Sequence, residues 1–359
     1  LAWMMPFMLP MMIAVQEMSG RIGIVTGKGL ASVMKEHYSR WFLYGAVFFL
    51  VFANTVNIGA DIGAMAASAQ LLINIPYVWW TLFFTAAIVL LELIVPYRQY
   101  AKILKWLCLS LFAYVITAFM VQMPWDEVLK NTIVPTLKFT PAFIMALVAL
   151  LGTTISPYLF FWEPSQEVEE EVAHHWRKDS DGSPLITEHR VKEFRKDNAS
   201  GMILSQIVAF FILITAAATL HAAGIFNVTS TAQAAKALEP LVEGFPNSGL
   251  IAKALFAVGV IGTGMLAIPV LAGSAAYAVS ESLDIKEGLY RKVTRARGFY
   301  GVIAGATLTG LLINFSGIDP IKALYYAAII NGVMAVPLIY VIIRIGNNRK
   351  IMGERKNSP

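Results

Sequence analysis

The sequence predicts an all-α polytopic membrane protein, and three observations carry that prediction. Hydrophobic residues make up 57% of the chain and charged residues only 14%, far from the balance of soluble domains. Apolar runs long enough to span a bilayer, about 20 residues each, recur along the whole length. Lys and Arg gather between alternate runs, so the formal net charge of +5 reads as membrane topology and not as a nucleic-acid surface. The single cysteine, Cys108, lies inside an apolar run and can form no intramolecular disulfide.

The chain opens at Leu1 within an apolar stretch and shows no signal-peptide pattern; the expectation is a fragment whose N-terminal end is missing. The first span runs from Leu1 to about Val15. Its methionines, among them Met4, Met5, Met8, Met11 and Met12, suit flexible packing, with soft metal ligation as the sharper alternative. Glu17 and Arg21 follow at i,i+4 spacing, then a polar loop holding Thr26-Gly27-Lys28-Gly29 and Lys35 to Arg40. The second span, Trp41 to about Leu72, carries Asn54, Asn57 and Asp61 at i, i+3 and i+7, on one helical face. An ionisable group inside a membrane helix is a functional candidate; a buried structural hydrogen-bond network is the competing account. Gly59 and Gly63 are expected to let a neighbouring backbone approach that face.

Asn74-Ile75-Pro76 turns the chain, and Tyr77-Val78-Trp79-Trp80 supplies interfacial aromatics to the third span, which reaches about Val95 with Glu92 near its end. A basic loop, Pro96 to Lys105, leads to the fourth span, Trp106 to Met120, and Pro124 to Lys138 reads as an amphipathic surface segment. The fifth span, Phe139 to about Trp162, is interrupted by Gly152-Thr153-Thr154-Ile155-Ser156-Pro157-Tyr158. Pro157 has no N–H and clashes with the carbonyl one turn back, so a regular helix cannot pass through it. Inside a membrane, freed backbone groups persist only where protein buries them or where they line a watery cavity, and a broken helix of this kind points to a transporter's binding site. A proline kink, with Ser and Thr bonding back onto their own helix, accounts for the same residues without function.

From Glu163 to Lys196 the chain is strongly polar, with Glu167, Glu169, Glu170, Glu171, His174, His175 and His189. These could feed a metal to a pore; a solvated helix end and loop is the simpler expectation. The remaining spans are about Gly201 to Ala223, Ala254 to Val279, Phe299 to Ile313 and Ile321 to Ile345. Between Gly224 and Lys253 lies an extramembranous loop with the sequon Asn227-Val228-Thr229, and the tail from Asn347 to Pro359 is basic.

The count is roughly nine spans. Loops after the first, third, fifth and seventh spans and the tail hold most of the Lys and Arg, whereas the intervening loops hold only Lys130, Lys138, Lys236, Lys253 and Lys322. The positive-inside rule places the tail in the cytoplasm and Leu1 on the outer side. Four spans precede the broken helix and five begin with it, the pattern of two inverted repeats. The expected domains are residues 1–122, the remainder of the first repeat; 123–138, an outer amphipathic loop; 139–346, the second repeat; and 347–359, the tail.

Gln16-Glu17-Met18-Ser19-Gly20-Arg21-Ile22-Gly23 with Val25-Thr26-Gly27-Lys28-Gly29-Leu30 resembles the end of the second helix and following loop of the Nramp family of divalent-metal transporters. Asn57-Ile58-Gly59-Ala60-Asp61-Ile62-Gly63 resembles that family's third helix, and Asn331-Gly332 followed by Val336-Pro337-Leu338 its tenth. The resemblance implies a LeuT-like inverted-repeat fold, with helices two to ten of the core present, and a metal site between the unwound parts of helices one and six. The Asp-Pro-Gly-Asn motif of helix one is not in the sequence. Helix six of the family reads Ala-x-x-Met-Pro-His where this chain has Thr153-Thr154-Ile155-Ser156-Pro157-Tyr158.

These departures have chemical meaning. A thioether favours transition metals over hard cations; Ser156 replaces it with a hard oxygen and Thr153 adds a second hydroxyl. Mg²⁺ sheds its waters reluctantly and suits hydroxyls and carbonyls that hold a hydrated ion. Tyr158 stands where a histidine could titrate near neutral pH, and Ala64 stands where some relatives carry an acid one turn after Asp61. The sequence therefore resembles the divergent Nramp-related magnesium transporter branch, although that branch usually has Ala at the Ser156 position.

The resemblance implies metal ligation by Thr153, Ser156 and Asn331, a pathway or supporting role for Asp61, Asn57, Tyr158 and Thr154, and a helix break framed by Gly152 and Pro157. It implies alternating-access transport of Mn²⁺ or Mg²⁺ with weak or no proton coupling; the ion is cargo, no cofactor is expected, and the partners are the bilayer and the metal ion, without nucleic acid or an obligate protein. A proton-coupled Mn²⁺/Fe²⁺ importer, a LeuT-like amino-acid transporter and a channel are the alternatives. An enzyme is disfavoured: the chain has no phosphate-binding Gly loop, His-Glu-x-x-His pattern or nucleophile elbow.

Overall fold

The computed structural model describes residues 1–95, 102, 106, 108–121, 123–176, 184–225, 228, 230–242 and 246–357. The basic loop from Pro96, the start of the fourth span, and Asn227 and Thr229 of the sequon lie outside the described residues, apart from isolated positions. In chain order the helices are α1 (Met4–Thr26), α2 (Leu30–His37), α3 (Arg40–Leu72), α4 (Tyr77–Ile94), α5 (Phe112–Met120), α6 (Trp125–Ile133), α7 (Pro141–Thr154), α8 (Pro157–Ala173), α9 (Glu188–Ala216), α10 (Thr231–Ala235), α11 (Ser248–Leu283), α12 (Arg297–Ile313), α13 (Pro320–Gly346) and α14 (Arg349–Met352).

Among the described residues, six helical stretches are long and apolar enough to cross a membrane: α3, α4, α7 with α8, α9 with the turn that follows it, α11 and α13. Leu109–Met120 and Arg297–Ile313 are apolar but shorter. The nine expected hydrophobic segments thus all appear as helices, of unequal length.

Three boundaries differ from the sequence expectation. The first helix does not stop near Val15 but continues to Thr26, where Ser19 and Gly23 pack it against α8 and Gly20 packs it against Phe194 of α9; the Ser19 hydroxyl donates to the Phe160 carbonyl at 2.8 Å. Gly27 ends it with φ +63°, a left-handed cap whose N–H bonds the Gly23 carbonyl. The expected polar loop is largely α2, which buries Leu30, Ala31, Val33 and Met34. The tail is no loose basic end either: α14 buries Met352, and Arg21 donates to the Arg355 carbonyl at 2.7 Å and to the Asn357 side chain.

The Glu17–Arg21 pair forms as spaced, at 3.3 Å, and α6 is an exposed surface helix. The polar stretch after Glu163 departs most from expectation. It is helical to Ala173, and Glu169 and Glu171 are buried instead of solvated. Arg190 of α9 pairs with Glu171 at 3.1 Å and Glu167 at 3.2 Å.

The two largest apolar cores among the described residues tie most of the long helices together. One joins α1, α2, the first half of α3, α8 and α13 through Ile22, Met34, Leu50, Phe160 and Leu338. The other joins the second half of α3 to α4, α11 and α12 through Ile62, Phe84, Leu271 and Phe299. Tyr158, just past the helix break, packs on both.

Candidate metal site at the helix break

The break falls where Pro157 dictates. Ile155 (φ −110°, ψ 66°) and Ser156 (φ −82°, ψ 132°) leave helical geometry between α7 and α8. A proline disfavours helical backbone in the residue before it, and it serves well as the first residue of the next helix, where its missing N–H has no bond to make. The Ser156 hydroxyl then takes over carbonyls that the interruption frees, donating to Gly152 O at 2.5 Å and Thr153 O at 3.2 Å. The Thr153 and Thr154 hydroxyls both donate to Leu150 O, at 3.0 and 2.8 Å.

The kink reading of this stretch accounts for these bonds. The hydroxyl protons are bonded back onto their own helix, as in a simple kink. A hydroxyl also carries acceptor lone pairs that such bonds leave unused, so Thr153 and Ser156 retain hard oxygen donors. Ser156 is 2% exposed, whereas Thr153 lies exposed.

Asn331 approaches this break through a close helix crossing. Its neighbour Gly332 faces Gly152: a Cβ on Gly152 would strike the Gly332 N and the Ala328 carbonyl, and one on Gly332 would strike the Val148 carbonyl. Asn331 is 4% exposed, and its amide makes no side-chain hydrogen bond among the described residues. Thr153 and Asn331 thus each adjoin, in sequence, the glycine pair at which α7 and α13 cross.

Asp61 stands apart from it. Its carboxylate lines a cavity of about 380 Å³ with Thr263 and Gly264 of α11, Thr231 of α10 and Ile321 of α13. Asn57 is half-buried on the same helix. Asn54 does structural work: it is fully buried and its amide donates to Leu271 O and Ser274 Oγ, each at 2.8 Å. Gly59 and Gly63 do not open the Asn54–Asp61 face as expected. They lie roughly 140° and 180° around the helix from Asn54, and their would-be Cβ atoms meet α12 and its C-terminal Asn314.

Among the described residues no group of three or more His, Cys, Asp and Glu side chains is arranged to hold a metal. The alternative in which the carboxylates and histidines after Glu163 feed a metal gains nothing from this arrangement; Glu171 and Glu167 serve Arg190, and His174 stacks on Trp176. A cation at the break would instead meet hydroxyl, carbonyl and amide oxygens.

Sequence reasoning missed a polar clasp at the end of the bundle where Lys and Arg concentrate. Glu281, in the last turn of α11, accepts from Ser165 Oγ at 2.8 Å and from the Ser32 backbone N–H at 2.9 Å. It thereby caps α2, whose N-cap Gly29 leaves room for the carboxylate. Tyr277 and the Leu289 N–H both donate to Glu169 nearby. The partners lie 249 and 116 residues from Glu281, a separation that leaves no local pattern.

A family model described as natural resistance-associated macrophage protein-like, Nramp, matches residues 1–359. The chain is 24% identical over 372 residues to the divalent metal cation transporter MntH of Caldanaerobacter subterraneus subsp. tengcongensis, covering 100% of this chain and 80% of that protein. It is 23% identical over 366 residues to MntH of Listeria innocua, covering 97% and 75%. Its fold matches the crystal structure of the Eremococcus coleocola manganese transporter in complex with an aromatic bis-isothiourea substituted compound, with TM-score 0.72 and 16% identity over 100% of this chain and 75% of that one.

Proposed function

The chain belongs to the Nramp family, and on that premise we propose that it carries a hard divalent ion, Mg²⁺ or Mn²⁺, with weak or no proton coupling. It is an integral membrane transporter of divalent metal cations with a LeuT-like helical fold, and not an enzyme. The finer reading rests on one observation: the buried Ser156 hydroxyl and the carbonyls it bonds occupy the helix break, with no thioether or imidazole between Leu150 and Tyr158. Such oxygens select for hard cations and tolerate a partly hydrated ion.

In this reading Thr153, Ser156 and Asn331 surround the ion, and Tyr158 and Thr154 line its path with Asp61 and Asn57. The repeats comprising residues 1–122 and 139–346 rock around that site, the 123–138 segment lies outside, and the 347–359 tail faces the cytoplasm of a plasma-membrane protein. Coupling is weak because Tyr158 and Ala64 stand where titratable groups would relay protons.

The test is metal uptake by the full-length transporter in liposomes. Mn²⁺ entry is followed against rising external Mg²⁺, with and without an imposed pH gradient. Strong Mg²⁺ competition without internal acidification is the expected result. Proton-linked Mn²⁺ entry that ignores Mg²⁺ would establish the second reading, a proton-coupled Mn²⁺/Fe²⁺ importer, which the manganese transporter among the structural neighbours favours.

A further inference from the structure

The short helix α6 takes no part in the ion route, and nothing within the described protein accounts for its stability. It has nine residues, and none of them is buried. A helix shorter than about 12 residues is marginal in water unless one of its faces packs on something. Asp126 and Glu127 in the first turn and Lys130 in the last suit the helix dipole, but such charges contribute only modestly at an exposed surface.

The residues of α6 sort into three sectors. At about 100° per residue, Trp125, Leu129 and Ile133 fall within about 80° of one another. Asp126 and Lys130 lie beside that apolar sector, and Glu127 and Asn131 lie opposite it. The protein holds the helix in this rotation. Val128 packs against Ala118 and Ile214, and Glu127, Val128 and Asn131 line a cavity of about 740 Å³ with Phe143 of α7 and Ile214 of α9. The apolar sector is left facing outward, with Leu129 56% and Ile133 69% exposed.

That sector is continuous with the outer surface of the membrane helices. The Trp125 ring stacks on Phe119 of α5, with centroids 5.3 Å apart and planes 30° apart, and Phe119 in turn meets Phe211 of α9. Phe119 and Met120 are themselves exposed on α5, and exposed Val134, Leu137 and Phe139 carry the strip on from α6 to the start of α7. Single exposed apolar side chains are ordinary, but a contiguous strip marks a surface that something covers. Because the strip joins the outer faces of two helices of an integral membrane protein, lipid is the occupant it fits. Asp126 and Lys130 carry opposite charges, so the attraction is apolar and not directed at anionic headgroups.

We propose that α6 is an interfacial membrane helix. It lies at the boundary between headgroups and acyl chains in the leaflet where α5 ends and α7 begins. Trp125, Leu129 and Ile133 enter the lipid, and Asp126 and Lys130 sit among the headgroups.

The experiment is a nitroxide scan of the full-length transporter in phosphatidylcholine nanodiscs. Cys108→Ser removes the cysteine of this chain, and each residue from 125 to 133 is labelled in turn through a single cysteine. Collisions with oxygen report lipid, and collisions with a water-soluble nickel chelate report water. The oxygen-to-nickel ratio should oscillate with a period of about 3.6 residues, peaking at 125, 129 and 133 and falling at 126 and 130. The label at Leu129→Cys should lie about 5–10 Å below the headgroups. Adding anionic lipid should leave this pattern unchanged. The unaltered protein gives a second reading, cross-linking to a lipid that carries a diazirine near the top of its acyl chain. Adducts should form on Leu129 and Ile133 as well as on Phe119 and Met120. Nickel collisions that dominate at 125, 129 and 133 would put α6 in water, and low collisions with both reagents there would show the strip covered by protein. Either result overturns the proposal, as do lipid adducts on α5 with none on α6.

Discussion

Gly152 and Gly332 face each other where α7 crosses α13, and a Cβ on either residue would run into the backbone of the other helix. Thr153 and Asn331 each adjoin this contact in sequence, and the crossing of the two helices depends on two missing side chains. Gly152→Ala or Gly332→Ala should lower stability by about 1–3 kcal/mol through overpacking and strongly reduce transport. Gly201→Ala, at an open position, should leave both unchanged. Thermal unfolding in detergent and uptake in liposomes measure the contrast.

Ser156 offers the sharpest test of ion choice. Ser156→Met replaces a hard oxygen by a thioether and removes the bonds to Gly152 O and Thr153 O. Competition by Mg²⁺ against Mn²⁺ or Cd²⁺ should weaken by about tenfold, one lost charge-assisted contact. If Mg²⁺ competes as before, Ser156 is outside the site.

The Glu281 clasp makes a prediction about α2. Glu281→Ala leaves the Ser32 N–H without its acceptor and the Ser165 hydroxyl with the Phe161 carbonyl alone, a loss of about 1–3 kcal/mol for a buried donor. Hydrogen exchange should quicken selectively at the first amides of α2 while those of α12 keep their protection. Uniform protection across both helices would show that the cap contributes nothing.

Glu287, between α11 and α12, sets a pH dependence. Burial, reinforced by the Glu281 and Glu169 carboxylates and opposed by Arg291, pushes its carboxyl from 4.5 up to about 9. The folded state therefore binds a proton more tightly than the unfolded chain. The stability linked to this group is complete below the unfolded value and is lost as pH rises through the folded one. Relative to Glu287→Gln, the unaltered protein should lose melting temperature steadily from about pH 5 to pH 9. Parallel melting curves for the two proteins across that range would refute it.

Much of this architecture is legible in the residue order. Apolar length marks the helices, because it answers directly to the cost of placing polar groups in lipid. Pro157 announces the break for a local covalent reason, and Glu17 and Arg21 pair because one helical turn separates them. The bounds of α1 are less legible: its apolar run stops near Val15, and the helix goes on where Ser19 and Gly23 meet α8 and Gly20 meets Phe194 of α9. The buried carboxylates Glu169 and Glu171 read as solvated for the same reason: Tyr277 and Arg190, their partners, lie 108 and 19 residues away.

The sequence by itself determined the membrane class, the positions of the helices, the break at Ser156-Pro157 and the likeness to Nramp transporters, because hydropathy, charge and proline act over a few residues. Tertiary structure alone decided which polar groups meet. It sent Asn54 into a structural bond with α11 and brought Gly332 against Gly152. It closed Glu281 over α2 and left the Glu92 carboxylate buried without a hydrogen-bond partner among the described residues. Each of these outcomes depends on how helices far apart in sequence cross, and the packing of whole faces fixes that angle.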